Sequence, residues 1–91
     1  MKHTIEMFGL SPFAETNAVD VDLQTNASID QLIEALGKAM PSFRGRVIQE
    51  GQNRLVENYG LYINGQFISD DQDVRIKESD RIVLILLATG G

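Results

Sequence analysis

The run Ile82–Leu87 constrains the fold of this 91-residue chain more than any other segment. Its residues, IVLILL, are apolar on both parities, which is typical of a strand in the middle of a sheet with both faces covered. The sequence therefore predicts that the last strand, from about Arg81 to Leu87, is a central strand.

Two alternating patterns near the N-terminus predict an antiparallel hairpin. In each run the residues of one parity indicate a half-buried face, namely His3, Ile5 and Met7, then Val19, Val21 and Leu23. Residues 9–17 between the runs are typical of a loop. Phe8 departs from the first pattern, because it places an aromatic ring on the polar side of the strand.

One helix is marked at both ends. Ser28 and Gln31 predict a capping box at its start, and Pro41 ends it. Its apolar residues follow helical spacing and are Ile29, Leu32, Ile33, Leu36 and Met40. We expect this helix to pack on the sheet, so that a core forms from Ile5, Met7, Val21, Leu23, Ile29, Leu32, Ile33, Leu36, Leu84 and Leu86.

The remaining segments differ in how strongly their sequences predict a structure. Asn64–Gly65 lies between two short apolar runs and predicts a two-residue hairpin turn. Residues 42–58 mix three arginines with apolar residues and two glycines, and we expect an irregular basic segment with a short strand near residues 54–57. Residues 70–80 are acidic and predict a turn-like approach to the last strand.

The composition argues against several kinds of function. A net charge of −5 disfavours nucleic acid as a partner, because phosphate contacts need a basic face. An acidic surface suits either a basic protein partner or simple solubility. The sequence contains no cysteine, and its longest apolar run is too short to cross a bilayer. Because the N-terminus also lacks a signal peptide's apolar core, we expect a cytoplasmic protein with no membrane role.

Individual polar residues do not predict an enzyme site. His3 is the only histidine, and its parity favours a core or edge position over a catalytic base. The carboxylates of residues 70–80 lack the glycine and the final glutamate of an EF-hand, which favours a solvated turn over a calcium loop. We therefore expect a chain that is not an enzyme by itself and binds no cofactor or metal.

The chain ends on Gly90 and Gly91, directly after Ala88 and Thr89. Glycine can enter a narrow channel in conformations that a Cβ forbids, and the Gly91 carboxylate is open to adenylation and then to a sulfur or amine nucleophile. A frayed terminus is the plainer interpretation. We expect a folded domain over residues 1–87 and a flexible tail over residues 88–91.

The order strand, strand, helix, strand, strand, strand predicts an α+β fold of the β-grasp type. Such a fold has a mixed sheet of about five strands, parallel first and last strands, and one helix across one face. The turn Asn64–Gly65, the approach Lys77–Val83 and the ending Ala88–Gly91 together resemble the ubiquitin-like sulfur-carrier family over essentially the whole chain. Its best-known members are the small subunit of molybdopterin synthase (MoaD) and the thiamine-pathway carrier (ThiS).

The resemblance implies a reaction at the C-terminus. In this family an ATP-dependent activating enzyme adenylates the terminal carboxylate, which is then converted to a thiocarboxylate that donates sulfur. Here the reacting carboxylate would belong to Gly91, with Gly90 as the flexible residue that threads the partner's channel. The residues that lead into the tail would contact the partner, and they are Leu87, Ala88 and Thr89.

The sequence resembles this family without indicating a single pathway that accepts the sulfur. The long segment 42–58 resembles the molybdopterin type, which implies the large subunit of molybdopterin synthase as a second partner. That type often has a Pro-Pro pair where this chain has Leu86 and Leu87, so a thiamine or other thiolation pathway stays open. A ubiquitin-like modifier joined to lysines through Gly91 and a plain interaction domain are further alternatives.

Side-chain parity predicts a partner surface on the sheet face that the helix does not cover. Phe8 and Ile85 share this face, and Phe67 follows the hairpin turn. An exposed apolar patch suggests an interaction site. The resemblance implies the same surface, because the matching positions lie where such carriers dock on the activating enzyme and on the large synthase subunit. In the alternative, residues 42–58 fold over this face and bury it.

Overall fold

The computed structural model describes residues 2–9, 17–69 and 72–86. Within these ranges the chain forms strands, one α-helix and one short 3-10 helix. In chain order they are β1 (Lys2–Phe8), β2 (Ala18–Asp22), β3 (Ala27–Ser28), α1 (Ile29–Ala39), the 3-10 helix (Pro41–Phe43), β4 (Tyr59–Ile63), β5 (Gln66–Ile68), β6 (Arg75–Ile76) and β7 (Ile82–Leu86). The predicted boundary between domain and tail lies outside the described residues.

A five-stranded mixed sheet has the order β2-β1-β7-β4-β5. β1 and β7 are parallel, with Ile5 opposite Ile82, and the other neighbours are antiparallel. The N-terminal hairpin, the parallel pairing of first and last strands and the central position of the last strand are therefore confirmed. This arrangement is the predicted β-grasp sheet.

The predicted helix is confirmed together with its cap. Ser28 Oγ accepts the Gln31 N–H at 3.2 Å, and Gln31 Oε1 accepts the Ser28 N–H at 2.9 Å. Pro41 begins the 3-10 helix that follows. The predicted inner residues of α1, Ile29, Leu32, Ile33 and Leu36, are buried.

The hairpin between β4 and β5 is also confirmed. Asn64 and Gly65 have φ values of 53° and 82°, and left-handed backbone at both central residues is the type I′ geometry that matches the twist of the strands. Asn64 Nδ2 donates to Asp80 Oδ1 at 2.9 Å, and Asn64 Oδ1 accepts the Arg81 N–H at 3.0 Å. The turn is thereby joined to the residues that lead into β7.

Residues 42–58 contribute more to the core than expected. Phe43, Val47 and Ile48 have no exposed surface, and they belong to the same core as the helix and the sheet. The predicted strand near residues 54–57 is wrong, because Leu55 forms only an isolated bridge with Ile48. Glycines at positive φ on either side of Ile48, Gly45 and Gly51, turn the chain too often for a ladder to extend.

Two other expectations need correction at β6 and β7. The segment predicted as an acidic turn contains β6, which pairs with β3 through Ala27 and Ile76. On β7 only one face is fully covered, since Val83 and Ile85 are half-buried. Leu86, predicted in the core, is also half-buried, because it lies at the C-terminal end of the strand.

Candidate functional site

The sheet face opposite α1 carries apolar and aromatic side chains from four neighbouring strands. We call them the open face, and from β1 to β5 they are Phe8, Ile85, Val83, Tyr62 and Phe67. Phe8 and Phe67 are 51% and 52% exposed. Their predicted exposure is confirmed, and the alternative that residues 42–58 bury this face is wrong. The role of Phe8, Phe67 and Ile85 in binding a partner stays a prediction.

The shape of the open face follows from strand register. Phe8, Ile85 and Gly60 are directly opposite one another on β1, β7 and β4, and Gly60 has no side chain to cover Ile85. In the adjacent row Tyr62 is opposite Phe67. Their rings meet edge to face, with centroids 5.6 Å apart and planes at 70°, a contact worth about 0.5–1.5 kcal/mol beyond burial. Phe67 is thus positioned by Tyr62 while half of it stays in solvent.

An ion pair borders the open face. Arg81 Nε donates to Glu6 Oε2 at 2.6 Å, and Arg81 Nη2 donates to Glu6 Oε1 at 3.3 Å. The hydrogen bond from Arg81 lowers the pKa of the Glu6 carboxyl below its ordinary range, and the same bond raises the pKa of Arg81. Glu6 lies opposite Val83. The open face is therefore bordered by the Glu6–Arg81 ion pair, in which both side chains are charged at neutral pH.

The C-terminal end of β7 lies beside the open face. Ile85 pairs with Phe8, and Leu86 pairs with Tyr59, so the last described residues of β7 lie next to the exposed ring of Phe8. The predicted tail residues lie outside the described ranges, and their roles stay predictions: Leu87, Ala88, Thr89, Gly90 and Gly91.

Gly9 is a residue that the sequence analysis did not single out. Its φ is +76°, and a Cβ at this position would lie 3.1 Å from the Cβ of Leu86. A residue with a side chain would therefore be strained at this position and would crowd Leu86. The only sequence signal was its place directly after the strand pattern, which does not indicate what it contacts.

The remaining candidate residues have structural places. His3 is 6% exposed, and its Nε2 donates to the Asp80 carbonyl at 2.6 Å, which confirms the predicted core or edge position. Within the described ranges no group of three or more His, Cys, Asp or Glu side chains is arranged to hold a metal ion. Over the same residues, no helix has the length and apolar character needed to cross a membrane.

Comparison with known sequences identifies one family. A sequence model of the ThiS family matches residues 10–91, which covers most of the chain and includes both terminal glycines. No curated protein matches the chain.

Solved structures with the same fold have low sequence identity to the chain. SAMP1 from Haloferax volcanii has a TM-score of 0.76 at 22% identity, with 100% of both chains covered. A molybdopterin converting factor subunit 1 from Pyrococcus furiosus has a TM-score of 0.69 at 20% identity, covering 97% of this chain and 99% of that one. The BexX/CysO complex of Amycolatopsis orientalis includes a chain with a TM-score of 0.68 at 15% identity and coverages of 97% and 98%. These likenesses confirm the ubiquitin-like β-grasp fold.

Proposed function

The chain belongs to the ThiS family, and from this membership we propose that it is a sulfur carrier whose reacting group is the carboxylate of Gly91. The observation that carries the proposal is the extent of the family match, which includes Gly90 and Gly91. The absence of side chains at both positions suits a backbone that must enter a narrow site. The reaction takes place in a partner enzyme, so this chain is a cosubstrate or subunit and needs no bound cofactor.

The proposed reaction has three steps at the terminal carboxylate. In an ATP-dependent activating enzyme a carboxylate oxygen of Gly91 attacks the α-phosphorus of ATP, and pyrophosphate leaves. Hydrosulfide then attacks the Gly91 carbonyl carbon of the acyl adenylate, AMP leaves, and the C-terminus becomes a thiocarboxylate. After an acceptor takes the sulfur, an oxygen atom from water restores the carboxylate.

The open face is the proposed docking surface for the activating enzyme. Phe8 and Phe67 together expose two aromatic rings, and large half-exposed rings are typical anchors of protein interfaces. Gly91 is five residues beyond Leu86, a reach of at most about 18 Å for extended chain. An enzyme that holds Phe8 and Ile85 therefore has the end of β7 beside its contact surface, and Leu87, Ala88 and Thr89 would lead the tail into its channel.

We place the carrier in molybdopterin biosynthesis, with the large subunit of molybdopterin synthase as the sulfur acceptor. Two observations support this choice. Residues 42–58 are built into the core through Phe43, Val47 and Ile48, as expected of the longer, molybdopterin-type connection. The fold also resembles the Pyrococcus furiosus molybdopterin converting factor subunit 1. This pathway places the protein in the cytoplasm.

A protein modifier is the second candidate function. The observation that favours it is the likeness to Haloferax volcanii SAMP1, a small archaeal modifier protein. In that case an amine nucleophile, the Nζ of a lysine on another protein, displaces AMP and forms an isopeptide bond with Gly91. Both functions use the same activated carboxylate, and they differ only in the nucleophile.

Mass spectrometry of the protein isolated from its host distinguishes the two functions. A C-terminal mass gain that equals the replacement of oxygen by sulfur supports the carrier, whereas Gly-Gly remnants on lysines of other proteins support the modifier. A variant that lacks Gly91 should fold normally but undergo no adenylation, because its carboxylate is displaced by about 3.5 Å. ATP-dependent adenylation of the truncated chain at the full rate would contradict the assignment of Gly91.

A further inference from the structure

The edge strand β2 has backbone groups that face away from the sheet. Within the described residues β2 pairs only with β1. The Met7 N–H donates to the Asn17 carbonyl at 2.7 Å, which makes these residues a hydrogen-bonded pair. Because such pairs alternate along an antiparallel ladder, the backbone groups of Val19 and Val21 point toward β1. The N–H and C=O groups of Asp20 and Asp22 therefore point outward from the edge.

The side chains of β2 alternate in charge and polarity. Val21 is 3% exposed and Val19 packs against the core, whereas Asp20 and Asp22 are exposed on the other face. Asp20 Oδ1 accepts a hydrogen bond from Thr4 at 2.6 Å, and Asp22 lies opposite Lys2 on β1. The outer edge of β2 thus presents two carboxylates separated by a buried β-branched residue.

A groove of about 550 Å³ runs between this edge and α1. Val21, Leu23 and Ala35 are among its apolar lining residues. Two charged residues of α1 that also line it, Glu34 and Lys38, pair with each other at 3.6 Å. Asp20 and Asp22 therefore make this edge of the sheet negatively charged. Lys2 lies on the neighbouring strand, β1.

We propose that β2 and this groove bind an extended segment of a partner protein as an added strand, with Lys or Arg at alternate positions and β-branched residues between them. The outward backbone groups of Asp20 and Asp22 would continue the ladder. Each cation would lie opposite a carboxylate, and each β-branched side chain would face Val21 and the groove. A second copy of this chain is disfavoured there, because β2 paired with β2 would place carboxylates against carboxylates. The site is independent of the tail chemistry.

The test uses the full chain labelled with 15N and a blocked peptide of alternating lysine and valine. Titration should shift the backbone amide resonances of Ala18–Leu23 and of the groove side of α1. The double variant Asp20→Asn/Asp22→Asn should bind this peptide about 2- to 30-fold more weakly, because two cross-strand ion pairs are lost. Asp73→Asn, which removes an exposed carboxylate outside the groove, should bind it unchanged.

Two further peptides make the test decisive. The same sequence with N-methyl groups at alternate backbone positions should not bind, because it cannot complete the ladder, and a glutamate–valine peptide should bind more weakly than the lysine–valine peptide. Shifts confined to the open face, or no shift at β2, would overturn the proposal. Concentration-dependent shifts at β2 without peptide would assign the edge to a second copy of the chain instead.

Discussion

On β7 both faces of the main sheet present aliphatic side chains, but the two faces differ in what covers them. On β7, Ile82 and Leu84 are completely buried, whereas Ile85 is half exposed beside the ring of Phe8. Apolar side chains on the covered face stabilise the fold by leaving water. Those on the open face remain partly in water, and an exposed apolar patch of this kind suggests an interaction site. Side-chain parity, rather than composition, therefore separates the residues that stabilise the fold from those that we propose as a docking surface.

The largest expected effect is a loss of stability on the covered face. Leu32 has no exposed surface, so Leu32→Ala should lower the free energy of unfolding by about 2–5 kcal/mol, through lost burial and the cavity left behind. Denaturant unfolding followed by circular dichroism measures this. Phe67→Ala on the open face is the matched control and should lose less stability than Leu32→Ala, because half of the Phe67 side chain is already in solvent and its removal leaves no internal cavity. A loss below about 0.5 kcal/mol for Leu32→Ala, the surface value, would remove the contrast between the faces.

The second expected effect is a loss of binding on the open face, because we propose that the partner docks there. Ile85→Asp and Phe67→Ala should each weaken binding to the cognate activating enzyme by more than about 2 kcal/mol, as expected for central interface anchors. Isothermal titration calorimetry measures the change. Gln66→Ala is the control, since Gln66 is exposed beside Phe67 but has the opposite parity. Unchanged affinity in both anchor variants would leave only the tail as a binding element.

Sequence reasoning predicted the parts of this contrast that have a regular period. The alternation of β1 and β2, the helical spacing of α1 and the Asn64–Gly65 turn each indicated the observed element and its inward side. The exposure of Phe8 followed from the same parity. The closeness of Gly9 and Leu86 was not predictable, because the sequence indicated that β1 and β7 are parallel but not which of their residues lie opposite each other.

The burial of side chains from residues 42–58 was not predictable, because the buried positions of this segment follow no regular period. The Phe43 carbonyl accepts the N–H groups of Arg46, Val47 and Ile48 at 3.0, 2.8 and 2.9 Å, so the chain makes one tight turn and then isolated bridges. The inward residues are consequently spaced irregularly. β3 and β6 have two residues each, which is too short for any alternation to show.

A third prediction concerns how this segment is attached over the covered face. A Cβ on Gly37 would lie 2.6 Å from Arg44 Nη2, and Arg44 also donates to the Gln52 carbonyl at 3.1 Å and to Asn53 Oδ1 at 3.4 Å. Gly37→Ala should therefore displace Arg44 and lose these contacts. With Arg44→Ala as background, Gly37→Ala should stabilise the protein by about 1 kcal/mol, the gain in helix propensity.

Chemical denaturation of the four proteins in this double-mutant cycle gives the coupling between the two positions. We expect about 1 kcal/mol, within the range for residues in contact. Equal effects of Gly37→Ala in both backgrounds would show that Arg44 does not hold the segment against α1.

The smallest expected effect is a loss of stability at Asp80, in the turn that precedes β7. Hydrogen bonds from the Lys77 N–H at 2.8 Å and from Asn64 Nδ2 at 2.9 Å lower the pKa of the Asp80 carboxyl below its ordinary value of 3.8. A lowered pKa means that the ionised carboxylate stabilises the folded state above pH 3.8, and that this contribution is lost as the pH falls through the folded-state pKa.

Asp80→Asn should therefore lower stability at neutral pH, and the difference from the natural chain should shrink in acid. Because the carboxyl is close to solvent, we expect only about 0.5 kcal/mol. The Asp80 carbonyl that accepts from His3 is unchanged by this substitution, so the buried imidazole keeps its partner. Urea unfolding at neutral pH and below pH 3.8 measures the difference, with Glu78→Gln as the control for removing an exposed carboxylate from the same turn. An Asp80→Asn deficit that persists in acid would mean that the turn depends on the shape of the side chain rather than on its charge.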